Sequence, residues 1–189
     1  MIFSDEKFNL DGPDGCKYYW HDLRKEKQVV WSRHSGGGSL MVWGAISSLG
    51  KTQLAILSGN QDAAGYQETL EAHLMEPSVN VHEGRYVFQH DNASIHRARS
   101  TTEFLVELEI PTMDWPALSP DLNPIENVWG MMARRVYKSG RQYSNVADLI
   151  AAVRAAWDGI TIEDLANLTS SMTDRCIAVV RSKGAKIDY

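Results

Sequence analysis

Hydrophobic and polar positions divide the chain into an early part with strand periodicity and a later part with helix periodicity. Ile2 and Phe3, then Phe8 and Leu10, frame Ser4-Asp5-Glu6 in the alternation of a strand. Successive strand side chains point to opposite faces, so only one of the adjacent acids Asp5 and Glu6 can serve a site on a given sheet surface. The turn-rich stretch Asp11-Gly-Pro-Asp-Gly15 precedes β-branched and aromatic runs at residues 17–20, 28–31 and 39–46, which predict an antiparallel meander. Residues 54–57 predict one more short strand. Asp62 is placed to cap a helix over residues 63–75, with Tyr66, Leu70 and Leu74 at four-residue spacing and Pro77 closing it. Residues 86–90 then form a compact strand that delivers Asp91 at its C-terminal end, where ligand sites usually form in open α/β sheets.

Beyond Asp91 the period lengthens. A helix is predicted over residues 97–108 with Phe104, Leu105 and Leu108 inward, then a strand near residues 112–115. In Ser119-Pro-Asp-Leu-Asn-Pro-Ile-Glu-Asn-Val-Trp129, Asn123 can cap a helix whose first position is Pro124, where the missing N–H costs nothing. Ile125, Val128, Trp129, Met132 and Val136 then step by three and four, an amphipathic helix with Glu126 in its first turn. Gly130 lowers helix propensity and is expected to leave room beside Glu126. Residues 146–157 predict another helix, and residues 162–183 one or two more, opened by the capping spacing Thr161-x-x-Asp164 and ended at Gly184. The class is α/β, a mixed central sheet flanked by helices.

Length and composition fit that picture. With 189 residues, 43% of them hydrophobic, and six tryptophans, one domain with a substantial core is expected. Cys16 and Cys176 stand far apart in sequence, which suggests neither a disulfide framework nor a zinc site and fits a reducing compartment. No apolar run approaches the roughly 20 residues that span a bilayer, and the start Met-Ile-Phe-Ser-Asp lacks the regions of a signal peptide, so a soluble intracellular protein is expected. The net charge of -5 argues against a generally basic nucleic-acid binder. Any DNA contact must be local or rest on a part of the protein outside this chain. His34-Ser-Gly-Gly-Gly-Ser39 lacks the Gly-Lys-Ser/Thr ending of a phosphate loop and reads as a connection, DNA contact being the minor alternative.

Three carboxylates fall at ends of regular elements: Asp5, Asp91 and Glu126. Glu126 also has capping-box spacing to Asn123, a competing and purely structural role. Hard oxygen donors with few fixed protein ligands suit Mg²⁺ or Mn²⁺. Two such ions about 4 Å apart can activate a water or a 3′-hydroxyl and stabilise the leaving oxygen of an in-line phosphoryl transfer. Without metal, clustered carboxylates repel, which raises at least one pKa or leaves the site loosely ordered.

Ser4-Asp5-Glu6 with Phe8-Asn9, Val42-Trp43-Gly44, Gln89-His90-Asp91-Asn92-Ala93 with His96, and Ser119 through Trp129 together resemble the catalytic domain of the Tc/mariner superfamily of DNA transposases, in its Tc branch. The resemblance extends to Ser171-Met172, Arg175-Cys176, Ala178-Val179 and Lys183-Gly184. Residues 92–125, 34 in all, separate Asp91 from Glu126, as is typical of that branch. The resemblance implies a ribonuclease-H-like fold and a catalytic, metal-binding triad of Asp5, Asp91 and Glu126 with two Mg²⁺ or Mn²⁺ ions. It also implies double-stranded DNA as partner: cleavage at inverted-repeat ends, strand transfer of 3′-hydroxyls into TA sites, a homodimer on paired ends, no membrane, and a nuclear full-length protein. By the same comparison, the first strand is expected to be clipped and an N-terminal helix-turn-helix region absent. The rival function is an inactive or domesticated relative serving as a DNA-binding or assembly module, and a third is a ribonuclease on the same fold.

The remaining polar motif residues carry two readings each. Asn92 and His96 can orient Asp91 or contact a phosphate, with local capping by Asn92 the alternative. His90 is expected to pack away from Asp91, while Asp121 and Asn123 shape the loop that aims Glu126. Arg134, Arg135, Lys138 and Arg141 form the best basic patch, either a DNA contact or a solvated helix face. Trp43 and Trp129 are core residues.

Overall fold

The computed structural model describes residues 1–7, 40–75 and 82–187. The runs at residues 17–20 and 28–31, the glycine connection at 34–39 and Pro77 lie outside them, as does part of the expected meander.

The sheet is built on β1 (Ile2–Lys7), which pairs antiparallel with β2 (Met41–Ser47), Asp5 opposite Gly44. On its other side β1 pairs parallel with β5 (Phe88–Gln89), through Ile2 with Phe88 and Phe3 with Gln89. β3 (Gly50–Lys51) and β4 (Ala55–Leu57) both add antiparallel to β2. The sheet is therefore mixed, with order β3-β2-β1-β5 and β4 off that path. The strand expected near residues 112–115 is only a single parallel bridge, Thr112 to Phe88. Phe88 donates to Pro111 O and accepts from Met113 N, both at 2.8 Å. β5 itself is two residues long, so it offers no ladder for a longer partner.

Six α-helices cover the sheet among the described residues. α1 (Ala63–Leu70) starts where Asp62 accepts from Gly65 N at 2.9 Å, then widens into a π-helical turn at Glu71–Met75. α2 is Arg99–Glu107, α3 Ile125–Val136, α4 Val146–Asp158, α5 Ile162–Ser170 and α6 Met172–Arg181. The Thr161–Asp164 capping box forms in both directions at 3.1 Å. At the other end Gly184 takes a positive φ of 85° and donates to Val179 O, closing α6.

Strand alternation sorts β1 between two cores. Phe3 faces a cluster with Val42, Ile46, Val128, Trp129, Met132, Val153 and Trp157, under α3 and α4. Ile2 faces a second cluster with Trp43, Tyr66, Leu70, Phe88 and Leu105, under α1 and α2. Each fully buried side chain of this size contributes roughly 1.5–3 kcal/mol relative to exposure. Continuing the alternation, Asp5 and Lys7 fall on the α3 face and Glu6 on the α1 face, where their partners lie.

Candidate active site

The start of α3 is set by its loop. Pro120–Leu122 makes a 3-10 turn, Asn123 is extended (φ −92°, ψ 109°) and Pro124 already helical (φ −65°, ψ −18°). Asn123, buried at 5% exposure, accepts from Ile125 N at 3.3 Å and donates through Nδ2 to Ser4 O at 3.0 Å. One side chain thus caps the helix and ties it to the residue before Asp5. Glu126 is not spent on a capping box: Asn123 N donates to Pro120 O at 3.0 Å, and the Glu126 carboxylate lies 3.6 Å from Lys7 Nζ.

One turn further on, the indole N–H of Trp129 donates to Asp5 Oδ2 at 2.9 Å. Trp129 stacks on Trp157 with ring centroids 5.6 Å apart. Both indoles lie over Gly44, the cross-strand partner of Asp5. A Cβ there would stand 2.8 Å from Trp157 Cη2 and 3.2 Å from Trp129 Cη2, so glycine is required for this approach. Burial first, then the charges of Glu126 and Glu6, push the Asp5 carboxyl up to about 8, with the Trp129 bond opposing them. This is the repulsion expected of clustered carboxylates.

Asp91 follows β5 on the opposite side. Its Oδ1 accepts from Ala93 N at 2.8 Å and from His96 Nδ1 at 2.7 Å, while His96 Nε2 lies 3.2 Å from Glu6 Oε1. Burial disfavours a charged His96, but the hydrogen bonds to Asp91 and Glu6 outweigh it and raise its pKa to about 9. The bond from His96 in turn holds the Asp91 carboxyl below its ordinary range. His90, packed against Phe88 and stacked on His96, is lowered to about 4 by burial and the His96 charge, and Tyr66 OH bonds its Nδ1 at 3.0 Å.

Asp5 and Glu126 are thus neighbours on the α3 face, whereas Asp91, in the loop past the end of β5, is held by His96, which Glu6 grips from the α1 face. Among the described residues no three His, Cys, Asp or Glu side chains are gathered into a ready-made metal cage. Mg²⁺ rarely needs one, because it keeps waters and binds through one or two carboxylates plus phosphate oxygens. A half-buried pair of carboxylates, Asp5 crowded by the charge of Glu126, with a third at the next strand end is a donor set that fits such a cation.

The supporting residues divide. His96 orients Asp91, but Asn92 instead donates to Trp115 O at 2.6 Å and anchors the loop. All four residues of the basic patch are exposed, but Arg135 is also engaged with Ala156 O at 3.3 Å and Asp164 at 3.7 Å. The room at Gly130 is beside Arg134, whose Nη1 lies 3.5 Å from the position of a Cβ, and not beside Glu126 as expected. Sequence reasoning missed Lys7, the polar role of Trp129, and Arg175. Arg175, 2% exposed, donates to Asp121 O (2.8 Å), Asn127 Oδ1 (2.7 Å) and Ser171 Oγ (2.9 Å), fastening the Glu126 loop to α6. The signal for Trp129 was its position three residues after Glu126; Arg175 stood in the C-terminal motif Ser171-Met172 with Arg175-Cys176, but nothing local marked its partners.

Residues 1–150 match the family described as DDE superfamily endonuclease. The chain belongs to that family. It is 45% identical over its whole length to the Tc3 transposase of Caenorhabditis elegans, of which it spans 58%, and 35% identical to the Tcb1 transposase of Caenorhabditis briggsae, of which it spans 70%. Its fold is that of the Mos1 mariner transposase: the paired-end complex with Mg aligns over 99% of this chain and 56% of that one, with a TM-score of 0.83 at 19% identity. A Mos1 complex with Mn aligns with a TM-score of 0.81, over the same shares of the two chains and at the same identity. The ribonuclease-H-like fold expected from the sequence is therefore present.

Proposed function

We propose that this chain carries the catalytic site of a cut-and-paste DNA transposase, with Asp5, Asp91 and Glu126 as the ligands of Mg²⁺ or Mn²⁺, two ions in all. The observation that carries the reading is Asp5. A buried carboxylate is pushed up to about 8 beside a second one, a costly arrangement that a divalent cation relieves. The Tc3 transposase relative, and Mos1 complexes of the same fold with Mg and with Mn, support it. When bound, the metal supplies activation of a water or 3′-hydroxyl and stabilisation of the leaving oxygen.

The chain's own residues prepare that chemistry. Trp129 holds one oxygen of Asp5, Asn123 fixes the start of α3 against β1 so that Glu126 faces Lys7 and Asp5, and His96 holds Asp91. No side chain here needs to attack phosphorus, since the nucleophile is water or the DNA 3′-hydroxyl. Arg134 and Lys138, exposed at the far end of the Glu126 helix, are the proposed phosphate contacts; Arg135 is engaged within the protein. Cleavage at inverted-repeat ends, joining to TA targets, action as a homodimer and a nuclear setting complete the proposal for the full-length protein.

The test is nicking of inverted-repeat duplex DNA by the 189-residue chain, fused to a helix-turn-helix region taken from a Tc relative. Cleavage is expected with Mg²⁺ or Mn²⁺ and not with EDTA, and Asp91→Asn is expected to abolish it. Metal-independent cleavage, or undiminished cleavage by Asp91→Asn, contradicts the reading.

A further inference from the structure

Glu6 is an acid beside a catalytic acid, yet strand alternation turns it to the other face, where its side chain is 14% exposed and 3.2 Å from His96. Carboxylates only accept hydrogen bonds, so an imidazole held between Glu6 and Asp91 donates from both nitrogens. The ring is also fixed in its plane. Tyr66 packs on it with centroids 4.1 Å apart, and His90 stacks at 5.1 Å and 15°. The result is a rigid link from β1 to the loop after β5. That loop needs one, because the β1–β5 ladder ends at Phe3 and Gln89, two residues before Asp91. At Asp91 itself, Oδ1 takes both the Ala93 N–H and the His96 N–H, and Oδ2 makes no hydrogen bond among the described residues.

We propose that Glu6 is a positioning residue for Asp91: acting through His96, it consumes Oδ1 and leaves Oδ2 as the oxygen presented to a divalent cation. The inference rests on the reading of Asp91 as a metal ligand. Removing Glu6 frees one end of the imidazole, and Asp91 loses the fixed rotamer in which a single oxygen is offered. Partners of this outer kind typically change metal affinity by about 10–100-fold.

The experiment is calorimetric titration of Mn²⁺ into the 189-residue chain for wild type, Asp91→Asn, Glu6→Ala and Glu6→Gln, with thermal melting of each metal-free protein. Glutamine keeps a side-chain oxygen that accepts from His96, whereas alanine does not. Glu6→Ala is expected to weaken Mn²⁺ binding about tenfold or more, and Glu6→Gln to stay within about threefold of wild type. Equal affinity in Glu6→Ala and wild type overturns the proposal. So does a loss in Glu6→Gln as large as in Glu6→Ala, which would make Glu6 a ligand or a bare charge. Unchanged affinity in Asp91→Asn strikes instead at the metal-site reading underneath. Should Glu6→Ala not fold, Glu6→Ser, too short to reach His96, replaces it with the same expectations.

Discussion

Replacing Asp5 by asparagine is expected to stabilise the metal-free protein. Asn keeps an oxygen for the Trp129 indole and removes the charge that burial, Glu126 and Glu6 disfavour. The sign follows from linkage. The folded-state pKa is raised from 3.8 to about 8, so the folded chain binds this proton more tightly than the unfolded one, and stability falls as pH rises from about 4 to about 8. Near pH 7, about three units above the unfolded pKa, the cost at 1.36 kcal/mol per unit is on the order of 4 kcal/mol. Urea unfolding in EDTA measures it directly: Asp5→Asn should exceed wild type by up to about 4 kcal/mol near pH 7, with the gap closing near pH 4. Adding Mn²⁺ should narrow the gap by more than half. Wild type gains by mass action, about 2.7 kcal/mol at a hundredfold excess over Kd, and the variant gains little. An Asp5→Asn protein no more stable than wild type near pH 7, or equally ahead at both pH values, refutes the argument.

Three further substitutions probe the frame around that carboxylate. Trp129→Phe removes the donor to Asp5, worth about 1.5–3 kcal/mol when the carboxylate is charged, and should weaken Mn²⁺ binding about tenfold by calorimetry above pH 8. Gly44→Ala puts a Cβ 2.8 Å from Trp157 and should cost about 1–3 kcal/mol in urea unfolding, since indoles packed on both sides leave little room to move. Arg175→Met leaves Asp121 O and Asn127 Oδ1 without their donor and should cost roughly 3 kcal/mol in the same assay, with Arg175→Lys failing to restore a three-pronged set of bonds.

Much of this frame could be read from residue order. The period change near Asp91, the caps at Asp62 and Thr161, and the helix starting at Pro124 all depend on local chemistry, and local chemistry is what a sequence displays. The opposite facing of Asp5 and Glu6 followed from strand alternation alone. What failed depended on distant partners. The expected strand at residues 112–115 reduces to a bridge because β5 is only two residues long, and β5 is short for reasons no window around Thr112 contains. Lys7 beside Glu126, Trp129 on Asp5, Glu6 on His96 and Arg175 under the Glu126 loop each join residues at least 48 apart. Such pairings exist only once the sheet and helices are assembled. Capping-box spacing at Asn123 and Glu126 pointed to a role the structure withholds: Asn123 takes the cap, and Glu126 is left to face Lys7.

The central claim is that Asp5, Asp91 and Glu126 form one divalent-metal site. Anomalous diffraction from crystals of this chain soaked in Mn²⁺ above pH 8 tests it most directly. A Mn²⁺ peak ligated by Asp5 and Glu126 is expected, with Asp91 Oδ2 turned to the same metal centre and Oδ1 still held by His96. Well-occupied Mn²⁺ bound elsewhere, with all three carboxylates free of metal, contradicts it.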